Sequence, residues 1–217
     1  ILAKGEYVMI ITNLKIYDFE ESMLASGYAM MVDIPQGEER KDEVLDVALD
    51  VVMGNEGNNK HLKRGMRLVK APLNSGHPNF LSGILVSMDI TFSNKVWTEW
   101  QRYHFQQIVT SQSCMHKISK FDLDESFVEY TDKVIIERLK ELQEQYNNEP
   151  TAENYLKLLY STPSGIKLTA RVSTNYLQLM TMYKQRHNHR LPEWREFCEE
   201  LVEQLPMFKE FLEVNGK

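Results

Sequence analysis

Hydrophobic residues recur along this chain with two periods, and the change from one to the other lays out a series of strands and helices. The cleanest period of two runs from Ile84 to Phe92, where Ile84, Val86, Met88, Ile90 and Phe92 share one face, the pattern of a half-buried strand. A second alternation, Ile166, Leu168, Ala170 and Val172, predicts a strand over Ile166 to Thr174, entered through the turn Pro163-Ser164-Gly165. Tyr7 to Tyr17, rich in β-branched and aromatic residues, predicts another strand, with an interruption at Thr12-Asn13. Glu20 to Met31 reads as a short helix and Ile34 to Arg40, with its Pro and Gly, as a loop. Val44, Leu45, Val47, Ala48, Val51 and Val52 form a helical stripe within Glu43 to Met53. After a Gly/Asn-rich connection, His61 to Ala71 predicts a helix that Pro72 to Pro78 breaks. Ser93-Asn94 caps a helix carrying Val96, Trp97, Trp100 and Arg102. Phe127 to Tyr146 is a long amphipathic helix, stopped by Asn147 to Pro150, and Thr151 caps a shorter one to Tyr160. Asn175 to Arg186 is helical, His187 to Pro192 a loop, and Glu193 to Leu205 the last substantial helix. With no repeat and no low-complexity linker, the pattern predicts one α+β domain over 9–217.

Composition narrows the class. With 217 residues, 42% hydrophobic and 26% charged, the chain has the make-up of an ordinary globular protein. The longest apolar runs fall well short of the roughly 18 residues of a membrane span, so no membrane association is expected. A formal net charge of −6 argues against nucleic-acid binding, which rests on a basic surface. Two cysteines, Cys114 and Cys198, make neither a disulfide framework nor a metal-ligand spacing, and a cytoplasmic location is expected. Met9 is a candidate natural start, because Lys4-Gly5-Glu6 can be encoded by a purine-rich ribosome-binding sequence. Ile1 to Val8 would then be a translated leader or an appended stretch.

Candidate chemistry concentrates in Trp97 to His116, where Arg102 and His104 sit beside a run of amides and hydroxyls. His77, Ser113, Asn175, Arg186 and Arg190 stand out elsewhere. The arginines suit bidentate recognition of a phosphate or carboxylate, although any one of them alone reads more readily as a surface ion pair. His77, after a glycine, reads equally as a solvated turn residue. His187, His189 and Arg190 lack a carboxylate or cysteine at ligand spacing, so no metal is expected. Cys114 reads either as a reactive thiolate or as a small buried apolar residue. From residues alone, this is an anion-binding α+β protein.

The segment LVKAPLNSGHPNFLSGILVSMDITFSNKVWTEWQR, Leu68 through Arg102, resembles the flavin-dependent thymidylate synthase family. In that family a Gly-His turn, an alternating strand and a helix lead into the pattern R-H-R-x-x-S-x-N-E-x-S-x-R-Y. Gly76-His77 and Arg102 stand at the family's spacing. Pro163 to Arg186, a strand leading to Asn175 and a helix ending near Arg186, resembles the family's C-terminal flavin and nucleotide segment. The resemblance implies an antiparallel sheet with flanking helices and a homotetramer with shared active sites. It also implies FAD as cofactor, dUMP as substrate, and NADPH and methylene-tetrahydrofolate as co-substrates. Carried over residue by residue, His77, Arg102, His104, Asn175 and Arg190 would hold the cofactor. Arg102, Ser111, Ser113 and Arg186 would hold the nucleotide, with Arg186 and Ser113 in catalytic roles.

The departures are equally specific. The family's R-H-R is Arg102-Tyr103-His104, its Asn-Glu pair falls on Thr110-Ser111, and its final Arg-Tyr on Met115-His116. Leu159 stands where the family carries another nucleotide-binding arginine, and Thr181 where it carries an asparagine. The expected function is FAD-dependent transfer of a one-carbon unit to dUMP. Modification of a different pyrimidine nucleotide, or a non-catalytic nucleotide-binding or assembly role, are the alternatives.

Overall fold

The structure, a computed structural model, describes residues 10–55 and 57–216. The expected Met9 start and the stretch before it lie outside the described residues. In chain order the elements are β1 (Ile11–Tyr17), α1 (Phe19–Ala25), α2 (Gly37–Val52), α3 (Lys60–Val69), β2 (Leu85–Ser93), α4 (Asn94–Trp100), β3 (Gln106–Ser111), α5 (Cys114–Lys117), α6 (Lys133–Asn148), α7 (Ala152–Ser161), β4 (Lys167–Asn175), α8 (Tyr176–Arg186), α9 (Pro192–Gln204) and α10 (Phe208–Asn215). Short 3-10 turns cover Tyr28–Met30, His77–Ser82 and Ile118–Lys120. The strands form an antiparallel sheet in the order β1-β2-β4-β3, so the fold is α+β with helices around the sheet. No helix among the described residues is long and apolar enough to cross a membrane.

The chain divides into two compact units. One comprises residues 10–12, Asp89–His104 and Ile108–Val172. Here the Phe92, Trp97 and Trp100 rings pack edge to face, with Trp97 and Trp100 centroids 5.8 Å apart. The Trp97 indole donates to the Leu168 carbonyl at 2.9 Å, satisfying the polar atom of a buried ring. A second cluster, Ile118, Leu123, Phe127, Leu139, Leu142, Leu158 and Ile166, closes α6 and α7 over the strand entrance. The helix expected from Phe127 starts six residues later, because Asp132 accepts the Val134 N–H at 2.8 Å as an N-cap. Residues 127–132 form a bridge and a turn instead, with Phe127 bridged to Ile166, Val128 donating to the Gly165 carbonyl and Thr131 donating to the Val128 carbonyl.

The other unit comprises Asn13–Met88, Phe105–Gln107 and the chain from Ser173 onward. Its core gathers Phe19, Phe208 and Phe211 around the Tyr176 ring, whose hydroxyl donates to the Pro206 carbonyl at 3.1 Å. β1 runs unbroken through the expected interruption at Thr12-Asn13; Asn13 holds a left-handed φ of 50°, a conformation that asparagine tolerates, without ending the strand. The first helix is shorter than the predicted Glu20 to Met31, and the reason lies in Arg64. From α3 its guanidinium donates to the Met23 and Leu24 carbonyls at 3.1 and 2.9 Å and to the Ser26 hydroxyl at 3.0 Å. These are the orphan acceptors at the C-terminus of α1. A Cβ at Gly27 would fall on the guanidinium, so the glycine makes the close approach that lets Arg64 end the helix.

Arg64 also donates from Nη2 to His61 Nδ1 at 2.8 Å, which places the imidazole proton on Nε2, 3.1 Å from Glu43 of α2. The His61 side chain is only 2% exposed. Burial, and then the neighbouring Arg64 charge, hold its pKa below the usual value. The hydrogen bond from Lys60 and nearby positive charge hold the Glu43 carboxyl low despite partial burial.

Two outcomes follow. Arg64→Ala removes the cation from the end of α1, leaving the Met23 carbonyl with only the Ser26 hydroxyl and the Leu24 carbonyl with only the Gly27 N–H as donors, with an expected loss on the order of 3 kcal/mol in chemical denaturation. Because folded His61 resists the proton that the unfolded chain takes up, its contribution is complete above the unfolded value of about 6.5 and is lost as pH falls through the lower folded value. Melting temperature should therefore fall more steeply below about pH 6.5 in the wild type than in His61→Gln. Parallel curves for the two proteins would contradict this.

Candidate functional site

The second of these units holds a cavity of about 710 Å³, inside the roughly 300–1,000 Å³ range of small-molecule sites. One wall is a face of α8, with Leu177, Gln178, Thr181, Lys184 and Gln185 at helical spacing. Asn175, the last residue of β4, stands at the head of that wall. The facing wall comes from Pro72, Leu73 and Asn74 and from Asn79 and Ser82 of the His77–Ser82 turn, and Phe105 completes the lining. The donors and acceptors are mostly side-chain amides and hydroxyls. Lys184 is the cation of the lining, which includes no carboxylate.

The local sequence explains how the cavity is held open. Asn175 Oδ1 accepts the Gln178 N–H at 2.9 Å, capping α8 where the strand ends. Gln178 is buried, and its Oε1 in turn accepts the Phe105 N–H at 3.3 Å. The Thr174 hydroxyl donates to the Phe105 carbonyl at 2.9 Å. Both backbone groups of Phe105 are therefore fixed by residues flanking the β4–α8 junction, while its ring remains 72% exposed. Lys184 Nζ donates to the Asn215 carbonyl at 3.2 Å, and Asn215 Nδ2 donates to the carbonyls of Val69 and Ala71, tying α10 to the end of α3.

Of the residues singled out by sequence, Asn175 and Thr181 line this cavity. His77 begins the turn that supplies Asn79 and Ser82, but is itself exposed and outside the lining. Arg186 ends α8 half-buried, with its guanidinium 4.8 Å from the centre of the Trp194 ring and Nη1 3.0 Å from His189 Nε2. Arg190 is exposed just beyond, its carbonyl accepting from Arg195 at 3.2 Å. In the other unit, Arg102 and His104 are exposed in the turn after α4, and Ser111 is exposed at the end of β3. Ser113 is half-buried ahead of α5, 2.9 Å from His116 Nδ1. Cys114 packs against the α6–α7 core, where burial raises its thiol pKa, which favours the apolar reading over a thiolate. Cys198 is likewise buried, its thiol pushed up to about 12.

Gln178 and Phe105 were not among the sequence candidates. Gln178 carries a signal, an amide set among Tyr176, Leu179 and Met180 on a buried helix face. Phe105 carries little, because its importance comes from residues about seventy positions away.

Among solved structures, two of the flavin-dependent thymidylate synthase ThyX from Helicobacter pylori, each complexed with FAD and dUMP, are similar in fold. One is 15% identical at a TM-score of 0.57, covering 76% of this chain and 90% of the other. The second, also 15% identical, has a TM-score of 0.58 and covers 79% and 92%. No protein-family model and no curated protein matches the chain.

Asn175→Ala removes the α8 cap and should cost about 1 kcal/mol in urea unfolding, whereas Asn175→Ser, which retains a capping oxygen, should recover most of it. Equal losses for both variants would show that the amide does more than cap.

Proposed function

We propose that this protein binds a flavin and a pyrimidine nucleotide and carries out FAD-dependent transfer of a one-carbon unit from methylene-tetrahydrofolate to dUMP. The observation that supports this most is the cavity at the β4–α8 junction. It is lined by Asn175, the position that the family resemblance assigns to the flavin, and by Thr181, where the family carries an asparagine, in a chain with a ThyX-like fold. The lining suits the polar edge of a flavin ring, since amides and hydroxyls offer donors and acceptors without imposing charge.

In this reading the chain's share of the work is orientation and electrostatics. A flavin, when bound and reduced by NADPH, would supply the hydride that completes the methyl group. Asn175 would offer its NH2 donors to the ring, its oxygen being committed to the helix cap. Arg186, which the resemblance assigns to the nucleotide, would stabilise negative charge as it develops on the pyrimidine. Arg102 and Ser111 hold the nucleotide, Ser113 assists the reaction at the base, and His77, His104 and Arg190 hold the flavin. A homotetramer with shared sites completes the assembly, and NADPH and the folate enter as co-substrates.

A second reading has an observation of its own. Thr110-Ser111, Met115-His116 and Leu159 stand where the family places nucleotide-binding groups, and Lys184 is the cation of the cavity lining. That favours a related scaffold that binds a different pyrimidine nucleotide or serves without catalysis.

The purified protein should show a flavin absorbance band, or develop a shifted one on addition of FAD. It should release tritium from [5-³H]dUMP in the presence of reductant and methylene-tetrahydrofolate. Arg186→Ala should weaken dUMP binding by about 10- to 150-fold, the equivalent of a charge-assisted hydrogen bond of roughly 1.5–3 kcal/mol. A colourless protein indifferent to FAD would overturn the flavoenzyme reading. Flavin and dUMP binding without tritium release would favour the second one.

A further inference from the structure

A large aromatic ring that is 72% exposed at the rim of a cavity, on a backbone fixed at both its N–H and its carbonyl, is an unusual use of phenylalanine. Single exposed apolar residues are ordinary on protein surfaces. Here, however, the anchoring groups are a buried glutamine and a buried threonine, so polar groups taken out of water are spent on fixing the place of an exposed ring. The ring itself takes little part in the core, and its removal leaves both anchoring hydrogen bonds intact. Around it the cavity offers the amides of Asn74, Asn79 and Asn175, and no carboxylate.

We propose that Phe105 is a stacking platform for a planar nitrogen heterocycle, whose edge is read by the neighbouring side-chain amides. Aromatic faces stack on any flat π-system, and side-chain amides complement an edge that alternates carbonyls and N–H groups. The pyrimidine ring of a nucleotide and the isoalloxazine of a flavin share that chemistry. The inference rests on the flavin and nucleotide reading above, and adds to it a residue outside the set the family resemblance supplies. Phe105 also sets specificity: a ligand of similar charge and sugar content but without a flat ring gains nothing from it.

The test uses the full chain and four probes, FAD, riboflavin, dUMP and ribose 5-phosphate, titrated into wild type, Phe105→Ala, Phe105→Leu and Phe105→Trp. Wild type should bind at least one ring-bearing probe, with ribose 5-phosphate at least ten-fold weaker. Phe105→Ala and Phe105→Leu should weaken that binding about ten-fold or more, with unchanged melting temperature. Phe105→Trp should bind within about three-fold of wild type and, if a flavin is the bound probe, quench its fluorescence more strongly. Wild-type binding that persists undiminished in both Phe105→Ala and Phe105→Leu overturns the platform and leaves the proposed function standing. Ribose 5-phosphate binding as tightly as the rings overturns it as well. If wild type binds no ring-bearing probe, both the platform and the flavin and nucleotide reading fall.

Discussion

The pairing register of β2 with β4 is the constraint on which the other features depend. Ser87 meets Ser173 and Thr91 meets Thr169, each hydroxyl pair 2.8 Å apart, and Asp89 meets Arg171 at 3.2 Å between them in sequence. Those side chains occupy one face of the two strands, while Val86, Met88, Ile90 and Phe92 are fully buried on the other. A slip by one residue would expose the four apolar side chains and drive Asp89 into the core. Burying that carboxylate without its arginine is far more costly than any local strain such a slip could relieve. The paired face is thus as important to the register as the apolar one, because complementary partners meet only in this alignment.

Once that register is set, β4 ends at Asn175, and the strand-to-helix junction follows from it. The same few residues then serve two ends. Asn175 caps α8 and lines the cavity, while Thr174 and Gln178 satisfy the backbone of Phe105 and so bring a residue from before β3 to the cavity rim. Structural hydrogen bonds and cavity lining are built from one set of polar atoms. A buried amide such as Gln178 is acceptable in the apolar face of a helix for this reason, since its acceptor is satisfied by a backbone N–H rather than left unpaired.

Arg64 shows a similar economy away from the cavity. One guanidinium ends α1, fixes the tautomer of His61 and requires Gly27 beside it, so α1 and α3 meet through a single cation, and His61 carries the contact on to Glu43 of α2. The resulting preference for neutral His61 ties the stability of this unit to mildly acidic pH by a route independent of the proposed chemistry.

Much of the architecture was legible in the chain because it is written in local periods. β2 and β4 follow from alternation, and α2, α3, α7, α8 and α9 from apolar stripes and their caps, since each element must bury one face and the spacing of that face is a property of neighbouring residues. The Ser93 and Thr151 caps were readable for the same reason. Strand β3 was not. Its residues, Gln106 to Ser111, are all exposed or only half-buried, so an edge strand there leaves no hydrophobic alternation, and its place is set by pairing with β4. Helix α10 lies beyond Leu205, the end of the last substantial helix predicted from sequence, and it is held by Phe208 and Phe211 in the core and by Asn215 on the Val69 and Ala71 carbonyls. Likewise the sequence could single out Asn175 and Arg186 by kind and order. Only the tertiary structure decided that Asn175 joins a cavity with Phe105 and Gln178, while Arg186 lies on the ring of Trp194. Hydrogen bonds and ring contacts between residues as far apart as Phe105 and Gln178 depend on how the whole chain packs, and no local period encodes them.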